Sequence, residues 1–195
     1  MSNIGAVILA AGGSSRLGRP KQLLNFRGET LIAHAIRAAA EARCRPIVVV
    51  TGDAGDAIRN EIRDTSAVVV ENVDWRSGLG TSIRAGMRSL IDSNDAIMLM
   101  TCDQPLVETA LIAELIEVRK QTGKPIVASS YMNTLGVPAL FDRSCFPALL
   151  SLPDDSGAKS LIVRRPADVA SVLFEDGAID IDTPEDFQRL TARPE

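Results

Sequence analysis

The sequence predicts an α/β fold in which a mixed, mostly parallel sheet lies between helices on both faces, and three observations predict it. Short β-rich runs alternate with segments of helical period, the succession that builds a parallel sheet wrapped by helices. The strand runs are apolar at consecutive rather than alternate positions, as in Ile47-Val48-Val49-Val50, which is what burial of both faces produces. No internal repeat, low-complexity tract or linker breaks the 195 residues, so residues 1–195 are expected to form one domain with a substantial core.

Taken in order, Ala6 to Ala10 reads as the first strand, followed by a glycine-rich loop. Leu31 to Ala42 reads as a helix, because Leu31, Ile32, Ala35, Ile36 and Ala39 fall on one face. His34, the chain's one histidine, lies in that run and reads as a packed or flanking residue. Ile47 to Thr51 and Val68 to Val70 are strands, Ala57 to Arg63 and Ser82 to Ile91 helices, Ile97 to Met100 a strand and Leu111 to Arg119 a helix. After Gly123 the pattern loosens, and Ile126 to Tyr131, Val137 to Phe141 and Val169 to Phe174 are strands among proline- and aspartate-rich connections. Any antiparallel strand is expected there. Asp180 and Asp182 flank a short strand, and the last helix has Thr183 as N-cap, Pro184 at its first position, and Glu185 and Asp186 in the first turn, where the dipole favours acid.

Composition then excludes several function classes. The net charge is −4, and the seven aromatics are 4% of the chain, so no broad basic track or stacking platform for nucleic acid is expected. The longest apolar runs fall far short of the roughly 20 residues that span a bilayer. Gly12 to Lys21 interrupts the first of them with polar and basic residues, so no secretory leader is expected. Cys44, Cys102 and Cys145 form no C-x-x-C pair, which suits free thiols in a reducing cytoplasm. A single histidine rules out multi-histidine metal sites, and Ser14 and Ser15 lack a G-x-S-x-G elbow.

In open α/β sheets ligands bind beyond the carboxyl ends of strands, and four such loops stand out. The first, Leu9-Ala10-Ala11-Gly12-Gly13-Ser14-Ser15-Arg16-Leu17-Gly18-Arg19-Pro20-Lys21, combines glycines that bring backbone N–H groups close to an anion with Arg16 and Lys21 as countercharge. It is neither a P-loop, since Arg19-Pro20 follows Gly18, nor a G-x-G-x-x-G fingerprint. The second, Thr101-Cys102-Asp103-Gln104-Pro105, ends an apolar strand in a carboxylate. Mg²⁺ typically takes one or two carboxylates and completes its octahedron with water and phosphate oxygens, although a lone aspartate there also serves as a turn residue. The third, Trp75 to Ser82, has Gly78 and Gly80 for the approach of a flat ligand and Ser82 as a hydrogen-bonding group; the same spacing also makes a glycine turn with Thr81 or Ser82 as N-cap. The fourth holds Asp180 and Asp182, a second metal ligand or simply acids before a capping threonine. Anion-binding backbone, two cations and a carboxylate are nearly all that phosphoryl or nucleotidyl transfer needs.

These residues carry a resemblance. Leu9-Ala10-Ala11-Gly12 with Ser15, Arg16, Gly18 and Lys21 resembles the L-A-A/G-G-x-S-x-R-x-G-x-x-K signature of nucleotidyltransferases similar to molybdenum cofactor guanylyl- and cytidylyltransferases. Cys102-Asp103-Gln104-Pro105 resembles that family's metal-binding turn, Gly78 to Ser82 its base-contacting segment, and Asp180 to Asp186 its closing motif. The resemblance implies a three-layer α/β/α Rossmann-like nucleotidyltransferase fold and Mg²⁺-assisted attack of an acceptor phosphate on the α-phosphorus of a nucleoside triphosphate. It implies that Leu9, Ala10, Ala11, Gly12, Gly13 and Ser15, with Gly78, Gly80 and Ser82, hold the nucleotide. Arg16 and Lys21 would hold the triphosphate, Asp103 the metal, and Asp182 would be its second ligand. Ala11 and Gln104 are similar to the cytidylyl branch, which favours CTP over GTP. Molybdopterin phosphate is the implied acceptor and a molybdoenzyme the implied recipient of the product. On the acceptor side the chain departs from the pattern, with Gly136-Val137-Pro138 where relatives carry G-H-P and Asp154-Asp155-Ser156-Gly157-Ala158 where they carry G-D-x-G-A. GTP as donor, a sugar-phosphate acceptor, and a non-catalytic nucleotide-binding module remain alternatives.

Overall fold

A computed structural model describes residues 3–192. Its elements in chain order are β1 (Ile4–Ala10), β2 (Asn25–Phe26), β3 (Glu29–Thr30), α1 (Leu31–Glu41), β4 (Ile47–Thr51), α2 (Gly55–Glu61), β5 (Val68–Glu71), α3 (Leu79–Arg88), β6 (Ala96–Thr101), α4 (Thr109–Thr122), β7 (Ile126–Tyr131), β8 (Thr134–Asp142), α5 (Phe146–Leu150), α6 (Lys159–Arg164), β9 (Val169–Leu173) and α7 (Pro184–Thr191). The main sheet has seven strands in the order β5-β4-β1-β6-β8-β7-β9. β8 runs antiparallel to both its neighbours while the other pairings are parallel, so the sheet is mixed and mostly parallel.

The consecutive apolar runs are explained by two cores that share each strand. Along β1, Ile4, Ala6, Ile8 and Ala10 pack with Ile32, Ile36, Ile112 and Leu115 of α1 and α4. The alternate residues Val7 and Leu9 pack with Ile83, Met87, Phe146 and Leu161 of α3, α5 and α6 on the opposite face. β6 divides in the same way, with Met98 and Met100 on one face and Ile97 and Leu99 on the other. β5 departs from the expected two-sided burial: it is an edge strand, and Val68 is 56% exposed.

Helix ends follow their local signals. Thr30 caps α1 by accepting from the Ala33 N–H at 3.3 Å, and Gly123, at φ +64°, ends α4 in the left-handed region. Thr183 and Asp186 form a reciprocal capping box on α7. The Thr183 hydroxyl, the Arg189 guanidinium and two backbone N–H groups hold the Asp186 carboxyl down at about 2, against 3.8 ordinarily. Because the folded value lies below the unfolded one, this cap contributes stability above pH about 4 and loses it as pH falls through about 2. Asp186→Asn is therefore expected to flatten the fall in stability across that window, as read by denaturant titrations at successive pH values; an unchanged acid limb would remove the cap from the account.

Three features differ from expectation. The Asp180 to Asp182 segment is not a strand; one backbone bond, from the Ile181 N–H to the Asp103 carbonyl at 3.0 Å, ties it to the end of β6. α3 begins at Leu79 with Gly78 as its N-cap, so neither Thr81 nor Ser82 caps it. The hairpin β2–β3 and the helices α5 and α6 carry no sequence periodicity long enough to announce them. Leu24 and Phe26 are instead fixed by a small third core with Leu31, Ile181 and Leu190. The three cysteines are free and buried, His34 is buried in α1, and among the described residues no helix is long and apolar enough to cross a membrane.

Candidate functional site

Parallel pairing puts the carboxyl ends of β1, β4, β5 and β6 along one rim of the sheet, so the loops that follow them meet. Between them lies a cavity of about 310 Å³ lined by Leu9, Ala10, Ala11 and Gly12 from the first loop, Gly78, Leu79 and Ser82 from the third, and Lys21 and Asp103. Gly13 and Ser15 line an adjoining hollow of about 280 Å³ with Gly12, Gly18 and Arg19.

The charged centre is a chain of four residues. The Lys21 ammonium donates to Asp103 at 2.7 Å and to Asp182 at 2.9 Å, and Asp182 also accepts from Arg16 at 2.9 Å. Burial works against the Lys21 charge, but the Asp103 carboxylate and the bonds to both acids prevail and raise its pKa above the ordinary value. The Lys21 hydrogen bond, ahead of burial, holds the Asp182 carboxyl below the usual range. Asp180 lies beside this cluster, and burial, then the charges of Asp103 and Asp182, push it up to about 6. Two carboxylates converging on one ammonium also suit a divalent cation whose remaining ligands are water and phosphate oxygens. Among the described residues no set of three or more His, Cys, Asp or Glu is arranged to hold a metal ion.

Several residues that the sequence did not single out build this site. Gln22 is 1% exposed; its amide donates to the carbonyls of Ala10 and Gly12 at 2.7 and 2.9 Å and so shapes the glycine loop. Ser14, at φ +49°, accepts from the Lys21 backbone N–H at 3.0 Å, whereas Ser15 is exposed. Trp75 covers Gly13 and Gly52: a Cβ at those positions would lie 2.8 and 2.7 Å from its ring. Arg76 stacks on the indole at 4.5 Å and reaches Asp53 at 3.4 Å. The only tryptophan next to a glycine turn was the signal available.

The second and third loops are tied to distant segments. Gln104 is buried and donates to the Gly177 carbonyl at 3.0 Å, and with the Ile181–Asp103 backbone bond it holds the closing segment against the Asp103 turn. Asn72 donates to Ser82 at 3.0 Å, which leaves the Ser82 proton to offer to the cavity. Gly80 departs from the expected role: it is buried away from the cavity, and a Cβ there would lie 2.0 Å from the Pro153 carbonyl oxygen. Gly78, at φ +130°, is held in the same way under Asp154. These two glycines therefore admit the 153–156 backbone. Cys102 is buried, and burial with the neighbouring Asp103 charge pushes its thiol up to about 12, so it is not a nucleophile at neutral pH.

Comparisons with known proteins show the family and the fold. The family described as "MobA-like NTP transferase domain" matches residues 6–169. Nicotine blue oxidoreductase of Paenarthrobacter nicotinovorans is 31% identical over 94% of this chain and 94% of its own length. Molybdenum cofactor cytidylyltransferase of Escherichia coli K12 is 27% identical, covering 99% of this chain and 97% of its own. The crystal structure of Rv0371c from Mycobacterium tuberculosis superposes with a TM-score of 0.83 at 31% identity over the whole of both chains. A structure of Rv0371c in complex with manganese superposes with a TM-score of 0.78 at 29% identity, covering 97% of this chain and 98% of that one.

Proposed function

This chain belongs to the MobA-like NTP transferase domain family, and from that membership we propose that it transfers CMP from CTP to the phosphate of a molybdopterin-like acceptor, releasing pyrophosphate with the help of Mg²⁺. The observation that carries the proposal is Lys21 held between Asp103 and Asp182 at the mouth of a cavity walled by the glycine loop. The loop's backbone N–H groups, with Arg16 and Lys21, take the triphosphate; Leu9, Ala10, Ala11, Gly12, Gly13 and Ser15 surround base, ribose and phosphates. Gly78 and Ser82 form the opposite wall. Asp103 and Asp182 would hold the cation, which would supply neutralisation of phosphate charge. Arg16 and Lys21 orient the α-phosphate, so that an acceptor phosphate oxygen forms a bond to the α-phosphorus as the bond to pyrophosphate breaks. Product transfer to a molybdoenzyme and action in the cytoplasm belong to the same proposal.

Calorimetric titration of CTP, GTP and ATP, with Mg²⁺ and with chelator, tests it, and Trp75, the only tryptophan, reports the same event by fluorescence. The expected result is metal-dependent CTP binding that is lost in Asp103→Ala. Binding of none of the three nucleotides overturns the proposal; preference for GTP overturns its choice of base. The relative named Nicotine blue oxidoreductase favours a second reading, oxidoreduction on the same cavity. CTP binding without pyrophosphate release in the presence of any phosphate acceptor would count against the transfer and leave that second reading open to a direct redox assay.

A further inference from the structure

The opposite end of the sheet holds a larger cavity, of about 400 Å³, that plays no part in the proposed reaction. It opens where the carboxyl ends of α1 and α4 flank the start of β1, and it is lined by Ile4, Ala42, Ile116 and the four cations Arg43, Arg45, Arg119 and Lys120. Ile116, Arg119 and Lys120 share one face of α4, at spacings of three and four residues. Cations in a last helical turn have an ordinary purpose, since they offset the negative end of the helix dipole. Lys120 is paired with Glu117 at 3.1 Å, and Arg119 lies 3.7 Å from Asp142. That purpose does not extend to Arg43 and Arg45, which lie beyond α1; among the described residues neither has an acid within ion-pair distance, and the Arg45 guanidinium donates to the Ser66 hydroxyl at 3.3 Å. The Arg119 Nε is buried with no hydrogen-bond partner among the described residues, so its 3.7 Å approach to Asp142 leaves part of the guanidinium's donor capacity unused. A chain with net charge −4 thus gathers four cations around an apolar floor, and two of them, Arg43 and Arg45, have no acid within ion-pair distance among the described residues.

We propose that this cavity is a second ligand site, taking a small phosphate monoester that carries an apolar ring. The phosphate sits between Arg43, Arg45 and Arg119, where guanidinium forks match its oxygens, and the ring lies on Ile4, Ala42 and Ile116. The volume falls within the range of small-molecule pockets, roughly 300–1,000 Å³. The site is independent of the nucleotide cavity, so neither reading falls with the other.

Residue-resolved amide shifts of the whole chain, titrated with phenyl phosphate, test the proposal. The expected result is saturable shifts at Ala42, Arg43 and Arg119, weakened at least tenfold in Arg43→Ala/Arg45→Ala and retained in Lys21→Ala. The Arg43→Lys/Arg45→Lys variant recovers part of the affinity, and CTP binding is unchanged in both double variants. Inorganic phosphate and benzyl alcohol are each expected to bind at least tenfold more weakly than phenyl phosphate. Equal binding of benzyl alcohol overturns the anionic part, and equal binding of inorganic phosphate overturns the ring. Shifts that fail to saturate, that survive the alanine double variant, or that appear more strongly with a DNA duplex overturn the site as a whole.

Discussion

Asp103→Ala is expected to reduce nucleotidyl transfer by about 10²–10³-fold, the usual loss when one preorganised charge at the reacting phosphates is removed. The carboxylate stands on a turn at the end of β6, fixed by the Ile181 N–H on its own carbonyl at 3.0 Å and by the neighbouring Gln104 bond to Gly177. Neither tie involves the Asp103 side chain, so the turn should keep its shape in the variant. Lys21 keeps Asp182 at 2.9 Å as a partner, so its charge is not orphaned. The cost in stability should stay near 1 kcal/mol, a fall in Tm of roughly 2–4 °C for a chain of this size. Steady-state pyrophosphate release together with thermal melting checks both halves. Full turnover in the variant would remove Asp103 from the chemistry, and loss of the folded signal would turn the result into one about structure.

The second large effect is expected at Gly80, where Gly80→Ala should destabilise the protein by about 1–2 kcal/mol. Inside a helix alanine is ordinarily favoured over glycine by about 1 kcal/mol. Here the new methyl would stand 2.0 Å from the Pro153 carbonyl oxygen and 3.0 Å from that of Ser156. The 153–156 backbone is itself pinned, because the Asp154 carbonyl accepts from the Gly80 N–H at 2.8 Å and Arg84 grips both Leu152 and Asp154. An overpacking cost of about 1–3 kcal/mol therefore outweighs the helix gain, and Tm should drop by roughly 2–8 °C. Gly12→Ala is the control: a Cβ there meets nothing within 4 Å, and Tm should stay within about 2 °C. Equal melting of the two variants would show that the loop yields and that Gly80 is not required by packing.

The legible part of the fold was the part that rests on local periodicity. β1, β4 and β6 are apolar without interruption because each lies between two cores, and α1 and α4 show their buried stripes. α5 and α6, of five and six residues, are too short for a stripe to form, and Phe26 of the two-residue strand β2 packs in a core with Ile181 and Leu190, some 150 positions away. In the site, the glycine loop and Asp103 stood out because small and charged residues directly after an apolar strand have few other uses. Gln22 was hidden because nothing in its neighbours shows that its amide reaches the Ala10 and Gly12 carbonyls. Gly80 was read for a ligand because glycine marks close approach without saying what approaches.

By itself, then, the sequence determined the α/β class, the buried strands, the cap of α7 and the loop that can face an anion, all of which follow from interactions within a few residues. Only the tertiary structure decided that Lys21 stands between Asp103 and Asp182, 82 and 161 positions away. It also decided that β8 runs against its neighbours and that Gly80 faces the 153–156 backbone while Gly78 meets both that backbone and the cavity. The reason is physical: an ion pair or a backbone crossing at such separation leaves no periodic trace in the chain, since its free energy appears only once the sheet has brought the loop ends together.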